Sequence, residues 1–143
     1  MKQPFVLMPA FFLLMATVLL PVLAIADEAD PREVTVSCDA PATNYSIEIE
    51  SVWHVGKELW VVSKISKHGD FGGAAITPLS DSVEVDADDD LEIKHYISGK
   101  TWNWWKGVEA EFIDSRDALL EQMEKDKTEI DEVLYGDDPA EEA

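Results

Sequence analysis

Residues 44–67, NYSIEIESVWHVGKELWVVSKISK, decide the fold. Two runs rich in Ile, Val and Trp flank one polar break, Gly56-Lys57-Glu58. Such side chains suit a pleated, half-buried surface, and a short glycine-containing break between two of these runs predicts a hairpin. A three-residue loop sets Val55 opposite Leu59, Trp53 opposite Val61, Ser51 opposite Ser63 and Ile49 opposite Ile65 on one face. The other face then pairs Glu50 with Lys64, Val52 with Val62 and His54 with Trp60. Like meets like at nearly every rung, and cross-strand pairs are where sheet stability resides. A two-residue Gly56-Lys57 turn instead sets Ile49 opposite Lys64 and Glu50 opposite Ser63. The three-residue register is therefore expected, with Ile49, Trp53, Val61 and Ile65 together facing inward.

Outward from this hairpin, the 143 residues make one domain at most. Residues 5–25 are apolar, preceded by Lys2 and closed by Ala24-Ile25-Ala26. A charged start, greasy middle and small-residue end predict a secretory signal peptide over residues 1–26. The alternative is an uncleaved membrane anchor, because the run almost spans a bilayer. Pro9, Pro21 and the Ala-Ile-Ala triplet favour cleavage, so the protein is expected to be exported, periplasmic or secreted.

Residues 27–143 hold all 30 acidic residues and 10 of the 11 basic ones, a formal charge of −20. A surface of that sign repels nucleic acid and anionic lipid; the membrane is a partner only if the signal segment is retained. Attraction to a basic partner or to cations is one consequence, and solubility or tolerance of a salty medium is the plainer one. Cys38 is the single cysteine, which excludes an intramolecular disulfide. Within Val34-Thr35-Val36-Ser37-Cys38 it reads as a small buried side chain on a first strand.

The order expected along the chain is a flexible tail (27–33), an antiparallel β-domain (34–114), a C-terminal helix (115–135) and an acidic tail (136–143). Residues 33–38 alternate as a short strand, and residues 39–44 form a loop containing Pro41. Asn44-Tyr45-Ser46 is a formal glycosylation acceptor. His68-Gly69-Asp70-Phe71-Gly72-Gly73 is a turn; with an acid and no lysine it does not make a phosphate cradle. Asp81-Ser82-Val83-Glu84-Val85-Asp86 alternates strictly. The acidic cluster 86–90 resembles the start of a calcium loop, but Leu91 and Ile97 stand where a glycine and a bidentate glutamate belong, so a solvated turn is expected.

Residues 91–97 and 101–105 are expected to form a second hairpin around Ser98-Gly99-Lys100. Ile93, His95, Ile97, Trp102 and Trp104 would share the inward face, and Lys94, Tyr96, Asn103 and Trp105 the other. If exposed, the second set stacks a sugar or anchors a protein; if covered by the helix, it is a second core. The helix is expected to begin at an Asp114 or Ser115 cap. It carries Leu119, Leu120, Met123, Ile130, Val133 and Leu134 at helical spacing and closes at Gly136. Its apolar stripe is expected on the outer hairpin face of Val52, Trp60 and Val62. The sum is a mainly β protein: a small antiparallel β-sandwich or half-barrel with one C-terminal amphipathic helix.

No catalytic residue, cofactor site or metal site is read. G-x-S-x-G, H-E-x-x-H and paired-cysteine patterns are missing from the sequence, and His54, His68 and His95 lie on separate segments. Enzyme activity is not expected. Thr43-Asn44-Tyr45-Ser46-Ile47-Glu48-Ile49, with Leu59-Trp60-Val61-Val62, Ile76-Thr77-Pro78 and Val83-Glu84-Val85, resembles the C-terminal domain of PrcB-type protease-complex subunits. The Tyr45 loop is also similar to that of chagasin-like cysteine-peptidase inhibitors. The likeness covers residues 34–86; Asn44 replaces a glycine of the pattern and Leu79 an aromatic. It implies an extracytoplasmic β-domain that binds or stabilises a peptidase, with Tyr45 as the loop position to test. Two function classes follow. One is a protein-binding module using the loops around Tyr45 and Phe71 or the outer hairpin faces. The other is a carbohydrate-binding module using Trp105 and Tyr96, with Asn103 and Lys94 beside them.

Overall fold

The computed structural model describes residues 31–141. The signal segment expected at 1–26 and residues 27–30 of the expected tail lie outside the described residues. Seven strands and one helix follow: β1 (Arg32–Ala40), β2 (Tyr45–Val55), β3 (Glu58–Lys67), β4 (Thr77–Val85), β5 (Glu92–Ser98), β6 (Ala110–Phe112), α1 (Arg116–Asp126) and β7 (Glu132–Tyr135). A 3-10 turn at Pro139–Glu141 ends the described chain. No helix among the described residues is long and apolar enough to cross a membrane.

The protein is mainly β, with two sheets and a single helix, as expected. β1 and β4 form an antiparallel two-stranded ribbon, and β6-β5-β3-β2-β7 form a five-stranded sheet. The ribbon covers one face of the sheet, burying Val34, Val36, Cys38, Ala40 and Leu79 against Ile47, Ile49, Val52, Val61 and Ile65. The helix covers the opposite face, where Leu119 and Met123 meet Trp53, Val55, Trp60, Val62 and Tyr96. Three layers result, with β2 and β3 in the middle.

The hairpin register differs from the expected one. The turn has two residues, with Val55 opposite Glu58 and Trp53 opposite Trp60. Gly56 takes a φ of +61°, whereas Lys57 keeps a negative φ, the pattern of a two-residue turn with glycine first. The mismatch such a turn would cause further on is removed by a bulge: Glu50 has no partner, Ser51 faces Val62, and Ile49 faces Ser63. A bulge adds one residue to one strand and reverses the parity beyond it. Ile49, Val61 and Ile65 therefore share the ribbon-side core, while Trp53 turns to the helix side. Val52 moves the other way and does not meet the helix.

The second hairpin does not form. β5 pairs in parallel with β3, and β6 in parallel with β5, so the sheet is mixed rather than all-antiparallel. The reason lies at Gly99. It has a φ of +85°, and a Cβ there would come within 2.0 Å of the Ile65 carbonyl oxygen. The glycine is used for close approach to β3, not for a reversal. Residues 101–105 are not a strand but an irregular segment.

The helix is half the expected length. Ser115 caps it, its side chain accepting from Ala118 N at 3.0 Å. It ends at Lys127, which adopts the left-handed conformation (φ 55°). Thr128 N donates to Met123 O and Lys127 N to Glu124 O, the paired bonds of a Schellman motif, here without its usual glycine. Val133 and Leu134 then enter β7, which pairs antiparallel with β2, and Gly136 follows that strand instead of closing the helix.

Replacing Gly99 by Ala is expected to cost about 2 kcal/mol or more, because strain at positive φ adds to the clash with Ile65. Gly69 has a φ of +72° with open space around it, so Gly69→Ala should lose only about 1 kcal/mol. Urea titration of both variants measures the contrast, and equal losses would remove the close-approach explanation.

Candidate functional site

The end of the β2–β3 hairpin remote from Gly56 gathers Tyr45, Phe71 and Asn103, half of the expected binding residues. Tyr45 opens β2 opposite Lys67. Its hydroxyl hydrogen-bonds Thr101 Oγ1 at 3.0 Å, and its ring meets Trp102 edge-on at 5.1 Å. Trp104 leans on Trp102 at 6.0 Å, with Asn103 exposed between the two. Trp102 packs on the ribbon-side core, so this aromatic rim is anchored from beneath.

Beside it, residues 68–76 form a loop tied to the β1–β2 connection at four points. Asn44 O accepts from His68 N at 2.7 Å, and Asn44 Nδ2 donates to Gly69 O at 3.1 Å. Thr43 N donates to Gly73 O at 3.1 Å, and Gly73 N donates to Thr43 Oγ1 at 2.7 Å. Ser46 Oγ and His68 Nε2 add a 2.6 Å contact. A Cβ on Gly72 would run into the Asn44 side chain, so glycine here lets the loop close against Asn44 without displacing it. The loop then presents Phe71 at 95% exposure and Ile76 at 69%. Covering a phenylalanine of this kind contributes roughly 2–3 kcal/mol. An apolar knob therefore stands on a pinned base.

The charge around this end departs from that of the whole chain. Lys64 and Lys67 are exposed and belong to no ion pair among the described residues. Asp70 and Glu48 are the nearby acids by sequence and register.

The Lys94 and Tyr96 pair lies elsewhere, on the helix side of the sheet. Tyr96 is 4% exposed and lies tilted against Trp60, 4.7 Å between centroids. Lys94 Nζ lies 5.2 Å from the Tyr96 ring and 5.6 Å from Trp60, and pairs with Glu111 at 3.7 Å. Burial pushes the Tyr96 hydroxyl up, and hydrogen bonding to Tyr96 raises Lys94, so one stays neutral and the other charged. Trp105 sits in the irregular segment, its Nε1 donating to Val108 O at 2.9 Å and its ring edge-on to Phe112 at 4.9 Å. The shared face expected for Lys94, Tyr96, Asn103 and Trp105 is thus not formed, because the second hairpin that would have aligned them does not exist.

Other titratable groups are scattered. Cys38 is buried, and burial with Asp39 beside it pushes the thiol up to about 11. In the 86–90 cluster, Asp88 O accepts from Arg32 Nη1 at 2.7 Å, and no group of three or more His, Cys, Asp or Glu among the described residues is placed to hold a metal ion. His54 Nε2 contacts Gly56 O at 2.8 Å; His95 is buried, with Nδ1 lacking a hydrogen-bond partner among the described residues.

Ile76 and Trp104 were not expected at a site. The signal for Ile76 lay in the charge-free run Phe71-Gly72-Gly73-Ala74-Ala75-Ile76, whose glycines keep it from burying either end. No protein-family model matches the chain, and neither curated proteins nor solved structures contain a match.

Burial lowers the pKa of His95 from its ordinary 6.5. The folded state then favours the neutral ring: nothing is lost above about pH 6.5, and stability falls as pH drops from there toward the lowered value. Urea unfolding should show this loss setting in as pH falls below about 6.5, and His95→Leu should flatten it. An unchanged slope in the variant would assign the acid sensitivity to other groups.

Proposed function

We propose that this chain is an exported, non-catalytic module that binds another exported protein through the Phe71 knob and the adjoining Tyr45–Trp102 rim. One observation carries the reading: Phe71 is 95% exposed on a loop fixed by hydrogen bonds to Thr43, Asn44 and Ser46. A large apolar side chain held out to water on a pre-ordered base is the form of a binding anchor. Tyr45 contributes twice, its hydroxyl fixing Thr101 and its ring supporting Trp102. The resemblance of residues 34–86 to PrcB-type subunits makes a peptidase, or a complex containing one, the partner class. Burial of Tyr96 removes the two-ring platform on which sugar binding would rest.

A photoreactive residue placed at position 71 in cells should cross-link one protein partner, while the same probe at the exposed Glu84 on β4 should not. With that partner purified, Phe71→Ala should weaken binding tenfold or more. It should leave the unfolding midpoint within about 2 °C, since the side chain has no packing to lose. Binding that survives Phe71→Ala, or cross-links from position 84 alone, would end this reading.

A further inference from the structure

A second surface lies on the helix side of the molecule. An open groove of about 920 Å³ runs between the C-terminal half of α1, the segment joining it to β7, and the 3-10 turn. α1 docks through Leu119 and Met123, which leaves Leu120 on its flank. Leu120, Ile130, Val133 and Pro139 line the groove and remain partly exposed. Around this apolar floor stand Glu124, Glu129, Asp131, Glu132 and Asp138, against one lysine, Lys127.

The walls are fixed without an occupant. Asp131 N donates to His54 O at 2.8 Å, and Asp131 Oδ2 accepts from Gly56 N at 2.7 Å, which ties the linker to the hairpin turn. Arg116 Nη2 donates to Asp137 O at 2.9 Å, and Asp138 Oδ1 accepts from Ala140 N at 2.9 Å, which holds the far wall. A preformed groove spares the ligand the cost of ordering the protein.

Charge decides what fits. The chain carries a net −19, so a second copy, an anionic lipid surface or a nucleic acid meets repulsion at a rim of five carboxylates. An uncharged apolar ligand leaves that rim unused. A helix that is apolar on one side and basic on the other satisfies floor and rim together. We propose that the groove binds a cationic amphipathic peptide, with its apolar anchors on Leu120, Ile130 and Val133 and its lysines or arginines against the rim. This surface adjoins the Gly56 end of β2 and is separated from the Phe71 knob by the length of that strand, roughly 35 Å for its 11 residues. It is a site distinct from the knob.

The probe is a labelled Leu/Lys peptide of roughly four helical turns with leucines at helical spacing, titrated with the purified protein at low salt. A shuffled peptide of the same composition, lacking an apolar face, should bind at least tenfold more weakly, and a Leu/Glu peptide should not bind. Leu120→Asp discriminates further. It adds a negative charge, so simple attraction would hold or tighten the peptide, whereas loss of the floor should weaken it at least tenfold. Ile130→Asp repeats the test outside the helix, and circular dichroism of both variants establishes that they are folded. Phe71→Ala should leave peptide affinity unchanged, which separates this site from the knob. Equal binding of the shuffled peptide, full binding by both Asp variants, or no binding of the amphipathic peptide would overturn the proposal.

Discussion

β-Strand side chains alternate between faces, and over its Gly56 half the central hairpin of this protein is buried on both. β2 and β3 must therefore satisfy two different cores at once. The bulge at Glu50 makes this possible, since it reverses the alternation partway along β2. Ile47 and Ile49 precede it and face the ribbon; Trp53 and Val55 follow it and face the helix. Unbulged alternation would put all four on the same side, with Trp53 crowding the ribbon and no large ring left to receive α1. Trp53 is fully buried, and losing a tryptophan from such a position costs about 3–5 kcal/mol. The helix, β7 and the groove between them all rest on the placement of that one side chain.

The local pattern of the sequence revealed a good part of this. The β2–β3 hairpin, the buried Cys38, the Ser115 cap and the docking of α1 on Trp60 and Val62 follow from alternation, residue type and capping chemistry. Pairing between distant segments did not follow. Ser98-Gly99-Lys100 has the composition of a turn, but Gly99 is spent on close approach to Ile65, and β5 joins β3 in parallel after the chain has passed through the ribbon as β4. Helical spacing of Ile130, Val133 and Leu134 was equally misleading. Two of those three are β-branched, and Lys127 turns left-handed before they are reached.

The binding surfaces were legible to different degrees. Phe71 was legible as part of a glycine-rich turn, and it remains uncovered. Tyr96 and Trp105 were judged by a strand alternation that holds for β5 but stops at Ser98. The groove beside α1 had no sequence signature of its own, because its floor draws on the helix, the linker, a strand and the 3-10 turn. Such a surface exists only once α1 and β7 have taken their places.

The position of β7 has a consequence for how the chain assembles. Its pairing joins residues 132–135 to residues 52–54, so the edge of the sheet formed by an early strand is closed by the last one. Contacts between such distant segments form slowly, because the intervening loop must first be closed. A polypeptide threaded through a membrane pore from its N-terminus would deliver β7 last. Its topology would then delay completion of the fold until almost the whole chain had reached the far side.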